Sequence, residues 1–304
     1  MSAVIQFPQS AIVPQGLIVD LDINAYHQGP GVSKSGLSEI ARSPAHYYAK
    51  YLAPNRPAPK ERAGQLEGSL AHCAVLEPDQ FNKRYVVTPD DAPRRPSSAQ
   101  REAKKPSAET LISIEYWDKF ARENGNKRVI TADQYETAMR QADSMRALPD
   151  IRALLDKGRP EVSAFWNDPV TGELCRCRPD WENPTTETGV IILDVKTYSD
   201  ASPEEFARQI GRKGYHIQSS FYSDGYEIAS EKTVHGFVFV AVETAYPYAA
   251  CASMLDPTGI TIGRDQYRDL LDVYARCRRT NLWPGYSDGI EVVSLPGYLT
   301  RGYE

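Results

Sequence analysis

The apolar run Val190-Ile191-Ile192-Leu193 ends abruptly in Asp194-Val195-Lys196, and a second acid stands upstream in Pro179-Asp180. Charges that close a buried run are costly unless they pair or bind a metal, which limits what such a chain can become. Residues two apart on a strand share a face, so Asp194 and Lys196 project together, about 7 Å apart at the backbone. The turn-rich stretch Asn183-Pro184-Thr185-Thr186-Glu187-Thr188-Gly189 predicts a hairpin that sets Asp180 beside Asp194. Two hard oxygen ligands with a neighbouring ammonium suit a Mg²⁺ ion acting on a phosphodiester. On these residues alone, a structural ion pair competes evenly with that reading.

The chain has 304 residues, enough for one large domain or two small ones. No apolar stretch approaches the roughly 20 residues that span a bilayer. The N-terminal lead-in lacks a secretory layout, so the expectation is a cytoplasmic protein with no membrane contact. Five scattered cysteines, Cys73, Cys175, Cys177, Cys251 and Cys277, offer neither a disulfide framework nor a zinc site. Cys175 and Cys177 read as strand packing. A net charge of −5 argues against an all-over nucleic-acid binder. It leaves room for local tracks, at Arg94, Arg95, Arg101, Lys104 and Lys105, and at Arg208, Arg212 and Lys213.

Capping and periodicity predict a helix over 35–41 led by Ser35, then a second helical turn from Pro44 through Tyr47, Tyr48 and Tyr51. Residues 52–59 read as a loop. A helix over 61–76 carries the small residues Gly64, Gly68, Ser69, Ala71 and Ala74. Residues 89–107 read as a mobile basic loop. Helices follow at 114–124 and at 132–148, the latter capped by Thr131. Strands are expected at 162–166, 174–178 and 190–196. Ser202-Pro203-Glu204-Glu205 opens a helix reaching about residue 230, with a break near Gly211 or Gly214. A strand at 235–242, a helix at 265–280 and an irregular tail at 283–304 complete the order. The expectation is one α/β domain over 1–304 with its core at 32–296. Steady βαβ alternation and a Gly-rich phosphate loop are both missing, so a doubly wound nucleotide-binding fold is not expected.

Gln218 and Tyr222 stand four apart on the helix after the Lys196 strand and share a face. Together, Pro179-Asp180, Asp194-Val195-Lys196 and Gln218-x-x-x-Tyr222 resemble the PD-(D/E)XK nuclease signature with the Q-x-x-x-Y helix of its RecB-type branch. Gly68-Ser69-Leu70-Ala71-His72 resembles the helix that supplies a metal-binding His there. Leu37-Ser38-Glu39-Ile40 and Ser43-Pro44 look like its opening. Cys175-Arg176-Cys177-Arg178-Pro179-Asp180-Trp181 and Trp283-Pro284-Gly285-Tyr286 are most similar to the phage exonuclease VIII (RecE-type) exonuclease domain. The resemblance implies a restriction-endonuclease-like core, a mixed central sheet flanked by helices.

Chemistry and resemblance give the candidates the same roles. Asp180 and Asp194 are candidate metal ligands with the Val195 carbonyl, and His72 is a candidate for a second ion, Mg²⁺ or Mn²⁺. Two such ions about 3.5–4 Å apart stabilise attacking and leaving oxygens. Lys196 is expected to orient water or offset transition-state charge, with a role as base left open. Gln218 and Tyr222 brace the site or touch DNA. Glu161 is expected to be a solvent-facing strand end rather than a ligand. His27, His46, His216 and His235 carry no expected role. Arg42 and Arg62 are candidates for a terminal phosphate, and the 94–105 stretch for ordering on duplex DNA. The resemblance further implies a Mg²⁺-dependent exonuclease that degrades linear double-stranded DNA 5′ to 3′. It also implies a ring-shaped homo-oligomer and a single-strand annealing partner in phage-type recombination. The rivals are an endonuclease or repair nuclease of the same fold, and a catalytically silent DNA-end binding module.

Overall fold

The computed structural model describes residues 15–57 and 60–295; expectations for residues 1–14, 58–59 and 296–304 lie outside them. Within that range the chain runs β1 (Gly16–Ile18), α1 (Ile23–Gln28), α2 (Lys34–Arg42) and α3 (Pro44–Tyr47), then a π-helical turn at Tyr48–Leu52. Next come α4 (Gln65–Leu76), α5 (Pro78–Arg84), β2 (Tyr85–Val87), α6 (Ser98–Arg101), α7 (Ala108–Asn124) and β3 (Arg128–Ile130). The middle holds α8 (Ala132–Ala147), α9 (Pro149–Leu155), β4 (Arg159–Pro160), β5 (Ser163–Asn167), β6 (Leu174–Cys177), β7 (Trp181–Pro184) and β8 (Gly189–Tyr198). It closes with α10 (Pro203–Lys213), α11 (Tyr215–Ser230), β9 (Thr233–Glu243), β10 (Ala250–Met254) and α12 (Pro257–Thr280).

The central sheet has the order β10-β9-β8-β7-β4, with β8 and β9 parallel and the other pairs antiparallel. It is a mixed sheet, as expected. Side-chain alternation on β8 assigns its two faces. Val190 and Ile192 join a core with Phe206 of α10, Phe221 and Tyr226 of α11, and Phe237 and Phe239 of β9. Leu193 and Val195 point the other way, into a core with Leu70, Cys73 and Ala74 of α4 and Ala138, Ala142 and Met145 of α8. Because helices cover both faces, the strand is apolar throughout rather than alternating. Asp194 and Lys196 continue the even parity and therefore emerge on the α10–α11 side.

A second sheet, β1-β5-β6, is separate from the first. The chain crosses between the two sheets twice, at Glu161-Val162 after β4 and at Arg178-Pro179-Asp180 after β6. This corrects one expectation: the hairpin partner of β8 is the short β7, whereas β6, ahead of Pro179, belongs to the other sheet. The outcome for the acids is unchanged, since Trp181 faces Leu193 and Asp180 and Asp194 are the next residues outward.

Several boundaries also move. Ser33, not Ser35, caps α2, its hydroxyl accepting from the Gly36 N–H. Helix α12 begins at Pro257, capped by Asp256, eight residues before the expected start. The 89–107 segment carries the helical turn α6 with a capping box, and it is tied to α7. Trp117 Nε1 donates to the Pro93 carbonyl at 2.9 Å, and Arg101 pairs with Asp118 at 2.8 Å. The break between α10 and α11 falls at Gly214, whose φ of 63° is left-handed. Cys175 and Cys177 are buried as expected.

Candidate active site

The end of β8 is where helices from both faces of the sheet can reach one strand. From one side, α11 brings Gln218, whose Nε2 donates to Asp194 Oδ1 at 2.6 Å. The other carboxylate oxygen, Oδ2, pairs with the Lys196 ammonium. From the opposite side, α4 brings His72, whose Nε2 lies 3.0 Å from the Val195 carbonyl and whose Nδ1 lies 3.4 Å from Asp180 Oδ2. A carbonyl only accepts, so Nε2 carries the proton and the Nδ1 lone pair faces Asp180. Asp180 Oδ2 also accepts the Val195 N–H at 2.7 Å, which locks the two β-segments together at this point.

Glu161 joins them, against expectation. It is not a solvent-facing strand end: it occupies the first sheet crossing with a left-handed φ of 54°, and its N–H donates to the Asp180 carbonyl. Arg178, from the second crossing, donates through Nε to Glu161 Oε2 at 2.7 Å. The ligand atoms of His72, Glu161 and Asp180 all lie within 4.8 Å of one another. Two carboxylates and a neutral imidazole form an N/O donor set that suits Mg²⁺ or Mn²⁺.

The electrostatics follow from crowding acids in a half-closed site. Burial, then the neighbouring Asp194 carboxylate, pushes the Asp180 carboxyl up to about 8. Burial and Asp180 likewise raise Glu161. Burial, then Lys196, lowers His72 and keeps its ring neutral. For Lys196, burial pulls downward, but Asp194 and Asp180 outweigh it and raise its pKa. Lys196 is therefore held as an ammonium beside the two acids. A divalent ion held by these acids would offset the acid–acid repulsion that favours a protonated Asp180.

Other predicted residues fall into different settings. The Tyr222 ring packs edge-on against Phe237 at 6.1 Å, and burial holds its hydroxyl well above the ordinary range. Arg42 pairs with Glu39 at 3.0 Å, and Arg62 is exposed ahead of α4. Arg94 and Arg95 line a recess of about 380 Å³ with Trp117, and the Arg95 guanidinium sits 5.0 Å from the centre of that ring. Lys104 and Lys105 are exposed. Arg208 pairs with Glu205. Sequence reasoning passed over Tyr198 and Tyr215. Tyr198 shares the Asp194–Lys196 parity, which was the available signal, and its hydroxyl meets that of Tyr215 at 2.5 Å. The Tyr215 ring lies 4.8 Å from Lys196 Nζ.

Residues 33–296 match the family model of a PDDEXK-like domain of unknown function (DUF3799). The chain belongs to this PDDEXK-like family. The site above lies within the matched region, and the mixed sheet is the restriction-endonuclease-like core expected of PDDEXK-like domains. Among solved structures, a Eubacterium rectale protein provisionally designated an exonuclease is similar at TM-score 0.53. That pair shares 12% identity, covering 93% of this chain and 98% of the other, so the likeness is one of fold. An alkaline exonuclease from Laribacter hongkongensis aligns at 13% identity over 70% of this chain and 96% of its own. Its TM-score of 0.26 carries no argument. No curated protein matches the sequence. Among the described residues no helix is long and apolar enough to cross a membrane.

Proposed function

We propose that this PDDEXK-like chain is a divalent-metal-dependent deoxyribonuclease that hydrolyses phosphodiester bonds of linear double-stranded DNA as an exonuclease. The observation that carries the reading is the convergence of Asp180, Asp194 and Lys196 at one strand end, braced by Gln218 and faced by His72. His72, Glu161 and Asp180 would hold the ion, with Asp194 and the Val195 carbonyl beside them. When bound, such an ion supplies Lewis acidity and a more acidic water. The chain's own part is positional and electrostatic. Gln218 and Lys196 fix both oxygens of Asp194, and the Lys196 ammonium offers hydrogen bonds to negative charge that develops on phosphate oxygens. Tyr222 sets the α11 face from within the core.

Mg²⁺ as the working ion, a second ion, 5′-to-3′ polarity, a homo-oligomer and pairing with an annealing protein in phage-type recombination belong to this proposal. They rest on the RecE-type resemblance. The test is incubation with linear and circular duplex DNA in Mg²⁺, Mn²⁺ or EDTA, using duplexes labelled at the 5′ or 3′ end. The proposal expects metal-dependent loss of linear DNA alone. Cutting of circles would point to an endonuclease, and no loss of either would leave a DNA-end binding module. Asp194→Ala and Lys196→Ala should each abolish cleavage while retaining fold and DNA binding.

A further inference from the structure

Lys34, at the start of α2, reaches across to the same aromatic ring that holds Lys196. Its Nζ lies 5.8 Å from the centre of Tyr215, whose ring is 4.8 Å from Lys196 Nζ and is fixed by the Tyr198 hydroxyl. Two ammonium groups therefore flank one ring at the mouth of the site. Lys196 has Asp194 as its counter-ion. Among the described residues Lys34 has none: its hydrogen bond goes to the Lys213 carbonyl at 2.8 Å, the last turn of α10.

A half-buried ammonium beside a second ammonium, with no carboxylate in direct contact, is electrostatically unfavourable. Burial, then Lys196, pulls the Lys34 pKa down to about 8, and the more distant Asp194 carboxylate offsets only part of that cost. The contact with Lys213 recovers part of it, since a cation at a helix C-terminus is favourable. What is missing is an anion. A nucleic-acid strand entering the site beside Lys196 brings one on every nucleotide.

We propose that Lys34 is a substrate-binding residue whose ammonium takes a nonbridging phosphate oxygen of the nucleic-acid strand, next to the phosphate that Lys196 faces. This rests on the nuclease reading above and adds a strand contact to it. Tyr215 acts as the spacer that holds the two cations apart on one wall.

The test is fluorescence anisotropy of a short labelled duplex with the full chain, in Ca²⁺ and over a salt series. Lys34→Gln keeps an amide that can donate to the Lys213 carbonyl but removes the charge; Lys34→Arg keeps the charge. The proposal expects K34Q to weaken binding and to lower the slope of log K against log salt by about 0.9, the share of one phosphate contact. K34R should restore both, and neither variant should have a lower thermal midpoint than the wild type. A wild-type slope in K34Q, with or without a lower midpoint, would show that Lys34 only closes α10. In that case wild-type binding and cleavage would leave the nuclease reading intact. A wild-type chain that neither binds nor cleaves DNA would overturn both.

Discussion

Gln218 and Asp194 are joined by a 2.6 Å hydrogen bond between a helix and a strand, made on the face of β8 opposite to the one from which His72 approaches. With Lys196 on its second oxygen, Asp194 cannot rotate. An orienting partner of this kind is typically worth about 10- to 100-fold in activity. Gln218→Ala should therefore lower the single-turnover cleavage rate of linear duplex by about that factor, with DNA binding retained. Gln218→Glu should be worse, because it sets a like charge against Asp194. Wild-type turnover by Gln218→Ala would mean that Lys196 alone holds the carboxylate.

The helix that carries Gln218 is itself held by close packing. Gly263 of α12 faces the His216 carbonyl of α11, and a Cβ there would collide with that backbone atom. Gly263→Ala should destabilise the protein by about 1–3 kcal/mol, since the two helices must separate. Gly211, within α10, has open space around its Cα. Gly211→Ala should instead stabilise by about 0.5–1 kcal/mol through helix propensity and a smaller unfolded ensemble. Urea denaturation of the pair would show opposite signs, and equal signs would refute the packing argument.

The sequence made Asp180, Asp194 and Lys196 legible because strand parity and an apolar run are local signals, and the hairpin turn lies between them. It hid β7, since Glu182 and Asn183 are polar yet buried. Asn183 donates to the Leu154 and Lys157 carbonyls, and Glu182 pairs through Oε1 with Arg159. A strand that buries paired polar groups does not look like a strand. Glu161 was misread for a different reason. Its place beside Asp180 depends on a left-handed backbone at a crossing between two sheets, and on an Arg seventeen positions away. Neither is a periodic pattern. Lys34 and Tyr215 meet only because α2 lies against the end of α10, which no local spacing encodes.

Glu161→Gln tests whether that crossing residue is a ligand. Glutamine keeps the backbone and can still accept from Arg178, so the fold should persist. Losing a carboxylate from the donor set should cost at least the ~10- to 100-fold in metal affinity that an outer partner costs. Calorimetric titration with Mn²⁺ reads this without DNA. Affinity equal to wild type would remove Glu161 from the site and leave it an Arg178 partner.

The raised carboxyls make stability and metal binding depend on pH in opposite directions. Asp180 and Glu161 titrate higher in the folded protein than in the unfolded chain. Between the ordinary carboxylate range and about 8, the folded state holds protons that the unfolded state has released. Their contribution is thus fully present below the unfolded carboxylate pKa and is lost as pH rises through the folded value. In EDTA, the thermal midpoint should fall from about pH 5 to about pH 8 through these two groups. An ion binds the deprotonated acids, so the midpoint gained on adding Mn²⁺ should grow over the same window. Asp180→Asn should flatten both trends, because the residue that gives up its proton is gone. A Mn²⁺-induced shift that is the same near pH 6 and near pH 8 would place the ion away from Asp180.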